Sequence, residues 1–398
     1  MSARTHTGLD LLVAEGFARL EGLKVGLLAH QASVDRQIRH VLPLMHEAGV
    51  KLVKLFGPEH GITGAAQDME IVEGEEERDP MTGAAIYSLY GSAEASLAPT
   101  KAMLEGLDVL VVDLQDVGAR YYTYAATMAY AMRTASGTGL KIMVLDRPNP
   151  LGGRAEDVEG PRIDKSYHSF VGAFDMAIRH GLTLGEYALY VRAQQGWDVE
   201  LEIVKMEGWR RNLSFADTGL PWVMPSPNMP TLDTAWIYPG QCLLEGTNLS
   251  EGRGTTRPFE LCGAPYLDGN AWAEMAEPFV GPGFLLRPTV IKPTFQKHAK
   301  QTCGALQVHV TDPWRAHSLR LTTALLVAAR QLAPLAFEWR TERYEYVSDR
   351  LAIDLLYGSP GPRLLIESGA TAAEVLDTFR ADEAAFVERR RPHLLYPE

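Results

Sequence analysis

Cysteine is scarce in this chain: Cys242, Cys262 and Cys303 are the three in 398 residues. No two form a C-x-x-C pair, so neither a disulfide framework nor a cysteine-based zinc site is expected. Long apolar runs are missing as well. Nowhere do about 18 such residues follow one another, so no membrane-spanning helix is expected. Basic residues are in deficit, 38 Lys and Arg against 50 Asp and Glu, for a net charge of −12. Nucleic acid and anionic membrane both need a basic face, so neither is an expected partner. The opening MSARTHTGLDLLVAEG has no basic segment leading into an apolar run and a cleavage site. No signal peptide is read there, and the cytoplasm is the expected compartment.

Several catalytic signatures are absent too. The first strand and turn read LLAHQASVD, without the G-x-G-x-x-G that a dinucleotide needs,. There is no P-loop, no G-x-S-x-G elbow, no H-E-x-x-H and no EF-hand loop,. An oxidoreductase or nucleotide-using transferase is therefore disfavoured, and no cofactor or metal is expected.

What is present is ordinary globular composition, 46% hydrophobic and 22% charged,. At roughly 150 residues per domain the length suggests two or three domains. The first part alternates strand and helix. Strands are expected at Lys24–Val34, Lys51–Gly61, Ala84–Gly91, Asp108–Gly118 and Lys141–Pro150, and helices at Asp35–Ala48, Pro99–Glu105 and Tyr121–Ala135. Runs such as VLVV and IMVL suit strands buried on both faces of a parallel sheet. The fold class expected is α/β: a Rossmann-like, doubly wound, mainly parallel sheet over residues 1–160. A C-terminal α+β auxiliary domain is expected over 161–398, with the active site in the cleft between them. Thr183 and Glu186 form a capping box before an apolar run, and LEIVKMEGW (Leu201–Trp209) reads as a strand,. Trp222–Pro258 shows almost no regular pattern and reads as a long functional loop. Later strands are expected at Phe284–Lys292 and Gly304–Thr311, and helices at Ser318–Leu332 and Thr371–Arg380. The acidic run Glu73–Glu77 reads as a solvated loop.

In doubly wound sheets ligands bind beyond the carboxyl ends of the strands. Polar clusters gather there. GPEHG (Gly57–Gly61) offers Glu59 between glycines, suited to a general acid on a sugar leaving group, with His60 beside it,. Equally, Glu59 could cap the following turn and His60 could be a core residue. DLQDVGARYYTY offers Asp113, Gln115 and Asp116, then Tyr121 and Tyr122 as faces on which a pyranose could stack. The structural alternative makes Asp116 a helix cap and the tyrosines core. DRPNP places Asp146, Arg147 and Asn149 in a rigid turn that local structure explains nearly as well,. The loops PSPNMPTLDT and LLEGTNLSEGRGTT bring Asn228, then Glu245, Asn248, Glu251 and Arg253. An arginine fork is a natural partner for a substrate carboxylate.

Taken in order, GPEHG, DLQDVGARYYTY, DRPNPLGG, SFVGAFDMAIRHGLTLGE, PSPNMPTLDTAWIYPGQCLLEGTNLSEGRGTTRPFELCGAP, PTFQKHAKQTCGALQVHVTD and DLLYGS resemble one family across roughly Gly8 to Pro392. It is the exo-β-N-acetylmuramidases of glycoside hydrolase family 171, long catalogued as a bacterial domain of unknown function. The resemblance implies release of terminal N-acetylmuramic acid (MurNAc) from the non-reducing ends of peptidoglycan fragments such as MurNAc–GlcNAc. It also implies a nucleotide-free Rossmann-like domain with an auxiliary domain, and it puts the family's motif glutamate on Glu59. Many members carry a leader, which the opening segment here does not show. MurNAc bears a lactyl carboxylate, which Arg253, Arg147, Arg179 or Arg120 could pair with. Hydrolysis through an oxocarbenium-like route calls for a second carboxyl group besides Glu59, to be sought among Asp113, Asp116, Glu245 and Glu251. A non-catalytic muropeptide-binding module is the other reading. The oligomeric state is left open, a homodimer among the options.

Overall fold

A computed structural model describes residues 4–67, 70 and 78–398. The Glu73–Glu77 run lies outside the described residues.

Six strands form a parallel sheet: β1 (Val25–Ala29), β2 (Leu52–Gly57), β3 (Ala85–Ser88), β4 (Val109–Asp113), β5 (Lys141–Leu145) and β6 (Glu200–Val204). Their order is β3-β2-β1-β4-β5-β6. The direction of winding reverses between β1 and β4, which opens a crevice at the carboxyl ends of those strands. Alternation along the central strands explains why they read as continuous apolar runs. Val25, Leu27, Val109, Val111, Met143 and Leu145 pack on one face with helices α1 (Gly8–Ala14) and α2 (Val41–Glu47). Leu28, Leu110, Val112, Ile142 and Val144 face the other way. There they meet α3 (Lys101–Leu104), α4 (Tyr124–Ala135) and α5 (Leu184–Gln195). Both faces are dry, so period-two polarity never shows.

β6 joins this sheet from well past residue 160, with Glu200–Val204 paired to Lys141–Leu145. The expected boundary at 160 therefore cuts through the first lobe. The expected helix over Asp35–Ala48 begins only at Val41. The Asp35 carboxylate accepts from the Gln37 and Arg39 amides and ties residues 35–39 into a local loop instead,. Ile38, counted as part of a helical stripe, sits there at φ 63 and is exposed. The helix expected from Tyr121 starts at Tyr124. Thr183 caps α5 as expected, with its hydroxyl accepting from the Glu186 amide.

The second lobe holds helices α6 (Leu232–Gln241), α7 (Gly269–Val280) and α8 (Ser318–Leu332), with an antiparallel sheet in the order β7-β9-β8. Those strands are β7 (Leu261–Ala264), β8 (Phe284–Ile291) and β9 (Cys303–Val310). Four short helices follow: α9 (Ala352–Tyr357), α10 (Gly361–Glu367), α11 (Ala372–Asp377) and α12 (Arg380–Arg390). The helix expected over Thr371–Arg380 is α11, capped at Thr371 and ending at Asp377, just before α12 begins at Arg380. α6 lies inside Trp222–Pro258, where the sequence pattern predicts irregular chain. Pro239 lies inside this helix and disguised it, although Thr231 caps its start by accepting from the Thr234 amide,. The two lobes interlock. Arg120 donates to the carbonyls of Leu356 and Tyr357, Arg390 to those of His180 and Gly153, and the Tyr396 hydroxyl to Asp146.

Candidate active site

β2 ends at Gly57, and the chain turns sharply through Pro58–Gly61. A side chain on Gly57 would put its Cβ 2.7 Å from the Ile62 amide, so the turn needs glycine there,. His60 occupies the left-handed region at φ 69, uncommon for a residue with a side chain,. Its Nδ1 lies 2.8 Å from the Ala66 carbonyl oxygen, which holds the ring. This turn directs Glu59 into a recess between the lobes.

The recess is built from both lobes. The first gives Glu59, His60 and the run Tyr121–Tyr124 at the start of α4. The loop ahead of α6 gives Ser226, Asn228 and Met229. The second lobe gives Tyr238, Glu245, Arg253, Phe259, Tyr344 and Glu345. Gly252 lets the Arg253 loop approach β7, since a Cβ there would lie 2.2 Å from the Leu261 oxygen and its φ is 81.

Three carboxylates face this space, each with a hydroxyl donor. Thr123 donates to Glu59 at 2.5 Å, Tyr344 to Glu245 at 2.7 Å and Tyr90 to Glu345 at 3.0 Å. Glu245 also accepts from the Arg253 guanidinium at 2.8 Å. Arg253 lies 3.5 Å from Glu251 and stacks over the Phe259 ring, 5.1 Å from its centre. Among the described residues lining the recess, Arg253 is the one guanidinium.

The phenols around the acids are held protonated. Burial, then the charges of Glu59 and Glu345, pushes the Tyr90 hydroxyl well above the usual phenol range. Burial, followed by Glu345 and Glu59, pushes Tyr346 up to about 12. Tyr122 and Tyr124 are raised by burial first, and Glu59 adds to both. Glu59 and Glu345 therefore act on the same tyrosines. The space offers carboxylates, neutral phenol donors, aromatic faces and one guanidinium, which are groups suited to an anionic sugar.

The family described as Exo-beta-N-acetylmuramidase NamZ matches this chain in two parts, its N-terminal region over residues 25–233 and its C-terminal region over residues 236–396. The chain belongs to the exo-beta-N-acetylmuramidase NamZ family. It is 38% identical to the peptidoglycan beta-N-acetylmuramidase NamZ of Bacillus subtilis over 394 residues, covering 99% of this chain and 92% of that protein. Two crystal structures of DUF1343 family proteins from Bacteroides fragilis are similar in fold. One has a TM-score of 0.87 at 32% identity, covering 99% of each chain, and the other 0.77 at 26%, covering 100% of each.

Within this NamZ-family chain, the recess unites Glu59, His60, Tyr121, Tyr122, Asn228, Glu245 and Arg253 from the residues singled out in the sequence. Others lie elsewhere. Asp113 is fully buried at the end of β4 and clamped by Arg147 at 2.5 and 2.8 Å, so each neutralises the other. Gln115 donates to the carbonyls of Asp116 and Pro148. Asp146 accepts from Thr183, the Gly185 amide and Tyr396, and so anchors the start of α5. Asn149 bridges the Leu182 carbonyl and the Leu151 amide, and Asn248 holds the Ala336 carbonyl and the Tyr266 hydroxyl. These are turn and interlobe fastenings.

Asp116 does not line the recess. It accepts from the Gly118 amide at 2.6 Å and does not cap α4. Glu251 is buried beneath Arg253, with Lys297 2.9 Å away. Arg120 is spent on four backbone carbonyls, and Arg179 pairs with Glu159, so neither reaches the recess. Glu345, Tyr344 and Thr123 were missed. Glu345 stands at φ 50 in a tight turn closed by Tyr344 and Val347, and the alternating Tyr-Glu-Tyr of that segment is the signal that could have found it. Among the described residues no group of three or more His, Cys, Asp or Glu side chains could hold a metal ion, and no helix is long and apolar enough to cross a membrane.

Proposed function

We propose that this recess hydrolyses the β-glycosidic bond of a terminal MurNAc at the non-reducing end of a peptidoglycan fragment. Membership of the NamZ family supports the reaction class, and the relative in Bacillus subtilis is named as an enzyme, which favours catalysis over a binding role. The observation that carries the site assignment is that Glu59 and the Arg253–Glu245 pair, from opposite lobes, face one recess.

Glu59 is the proton donor to the glycosidic oxygen. Thr123 fixes one of its oxygens, and the rigid turn fixes its direction,. Glu245 accepts from a guanidinium and a phenol, and it works as an anion beside the developing oxocarbenium ion,. Arg253 also receives the lactyl carboxylate, because a recess edged by Glu59, Glu245 and Glu345 would otherwise repel it,. Tyr121, Tyr122 and Asn228 line the sugar's faces and hydroxyls. Cysteine is scarce, three in 398 residues, and all three are buried, which suits a reducing cytoplasm, where fractionation with an activity assay would find the protein,.

A para-nitrophenyl β-MurNAc substrate, set against its GlcNAc analogue, tests the reading. Glu59→Gln keeps the shape and should lower kcat about 100-fold or more, in the range of a lost general acid. Wild-type turnover in that variant removes Glu59 from the mechanism. Glu345→Ala should lower kcat by about 10-fold, because it removes the acceptor for the Tyr90 hydroxyl at the edge of the recess,.

A further inference from the structure

Behind the recess wall the charges form a chain. Glu245 accepts from Arg253, Arg253 lies 3.5 Å from Glu251, and Glu251 meets Lys297 at 2.9 Å. Lys297 comes from a separate loop, residues 293–300, fastened over the Leu243–Thr256 loop. There Thr294 donates twice to the Gly254 carbonyl, and the His298 ring lies 2.6 Å from the Asn248 oxygen. Gln296, His298 and Lys300 all take positive φ, at 63, 55 and 64, so the loop is folded tightly to deliver one side chain inward,. The Lys297 ammonium has its donors spent on the carbonyls of Leu244 and Leu249 and on Glu251.

We propose that Lys297 is a positioning residue that confers tolerance for the substrate's lactyl carboxylate, by neutralising Glu251 so that the charge of Arg253 stays available to the recess. The proposal rests on Arg253 as the lactyl partner. With Lys297 in place, Glu251 has two cations beside it, Lys297 and Arg253. Without it the buried Glu251 anion has one cation left to turn to, and Arg253 is drawn back from the recess toward it. The state of Glu251 agrees. Burial alone would raise its carboxyl, but Lys297 and then Arg253 outweigh burial and hold it below the usual carboxylate range.

The test compares an aryl MurNAc substrate carrying a free lactyl acid with its lactyl methyl ester. Lys297→Met should raise KM for the acid about 10-fold with little change in kcat, and leave KM for the ester within about 2-fold. Lys297→Gln keeps a donor for one loop carbonyl while losing the charge, so it gives the same split if Lys297→Met does not fold. Lys297→Arg should restore the wild-type ratio of acid to ester. Equal losses on acid and ester, or no loss, in the uncharged variants would overturn the role of Lys297. Arg253→Met separates the two claims. If it leaves the acid-to-ester ratio at the wild-type value, Arg253 is not the lactyl partner and the inference falls with that reading. If it shifts the ratio while the Lys297 variants do not, only the role of Lys297 fails.

Discussion

Arg147 grips Asp113 through two hydrogen bonds, at 2.5 and 2.8 Å, across the carboxyl ends of β5 and β4. The third contact of Arg147 is the Val34 carbonyl beyond β1, so one side chain ties three strands together at the point where the winding reverses. In dinucleotide-binding relatives of this topology that crevice takes a pyrophosphate. Here an internal ion pair occupies it, and the recess lined by Glu59 lies against the second lobe.

Asp113→Asn therefore separates structure from chemistry. The side chains are 0% and 6% exposed, so removing the negative partner leaves an uncompensated guanidinium in a dry place,. Breaking such a buried pair should lower unfolding free energy by about 3–5 kcal/mol, read by urea denaturation. Protein that remains folded at low temperature should turn over MurNAc substrates at a rate near wild type. A loss of kcat with normal stability would return Asp113 to the catalytic set.

Asp116 predicts a pH-dependent stability. Burial raises its carboxyl to about 7, only partly offset by the amides of Gly118 and Val117. A folded value above the unfolded one near 4 means that the folded chain binds the extra proton between those limits. The contribution is full below pH of about 4 and is lost as pH rises through about 7. His30 and His180 work in the opposite direction. Burial lowers both to about 3, so they destabilise the fold as pH falls below about 6.5,. Measuring Tm for wild type and Asp116→Asn side by side cancels the histidine effect. The stability of the variant relative to wild type should climb between pH of about 4 and 7 and then level off. A difference that stays flat across that window would show that Asp116 does not titrate there.

The parallel sheet was legible because its central strands are buried on both faces, and that shows in sequence as VGLLA, VLVVD and KIMVL. For Glu59 the sequence offered two uses, since a carboxylate between glycines at a strand end can face a cleft or cap the turn, and in the structure it lines the recess. What sequence could not reveal was which polar groups pair with each other. Asp113 and Asp116 sit three residues apart beside one strand end, yet one is locked to Arg147 from β5 while the other accepts a local amide. That choice depends on which strands become neighbours, which no local pattern encodes. Glu345 escaped because it enters from a short turn in the second lobe, where neither helical nor strand periodicity marks it. α6 escaped because Pro239 removes a helical amide, whereas packing against α8 keeps the helix intact.

His60 brings strain and function to the same place. Its backbone sits at φ 69, a conformation that costs a side-chain-bearing residue about 1–3 kcal/mol and persists where the surroundings enforce it,. The ring repays part of this by meeting the Ala66 carbonyl oxygen and by standing edge-on to Tyr124, 6.4 Å between centres. Asparagine tolerates the left-handed region better than most residues but is too short to keep both contacts. His60→Asn should therefore hold stability within about 1 kcal/mol of wild type, because relief of strain offsets the lost contacts. Activity should fall all the same, by about 10-fold in kcat, because the turn that aims Glu59 loses its brace against Ala66 and Tyr124. A β-branched replacement, His60→Val, should lose both, since it cannot adopt that φ without distorting the turn. If His60→Val keeps wild-type Tm and turnover, the strained turn is not what aims Glu59. Thermal melts together with chromophore release from the aryl MurNAc substrate decide between these outcomes.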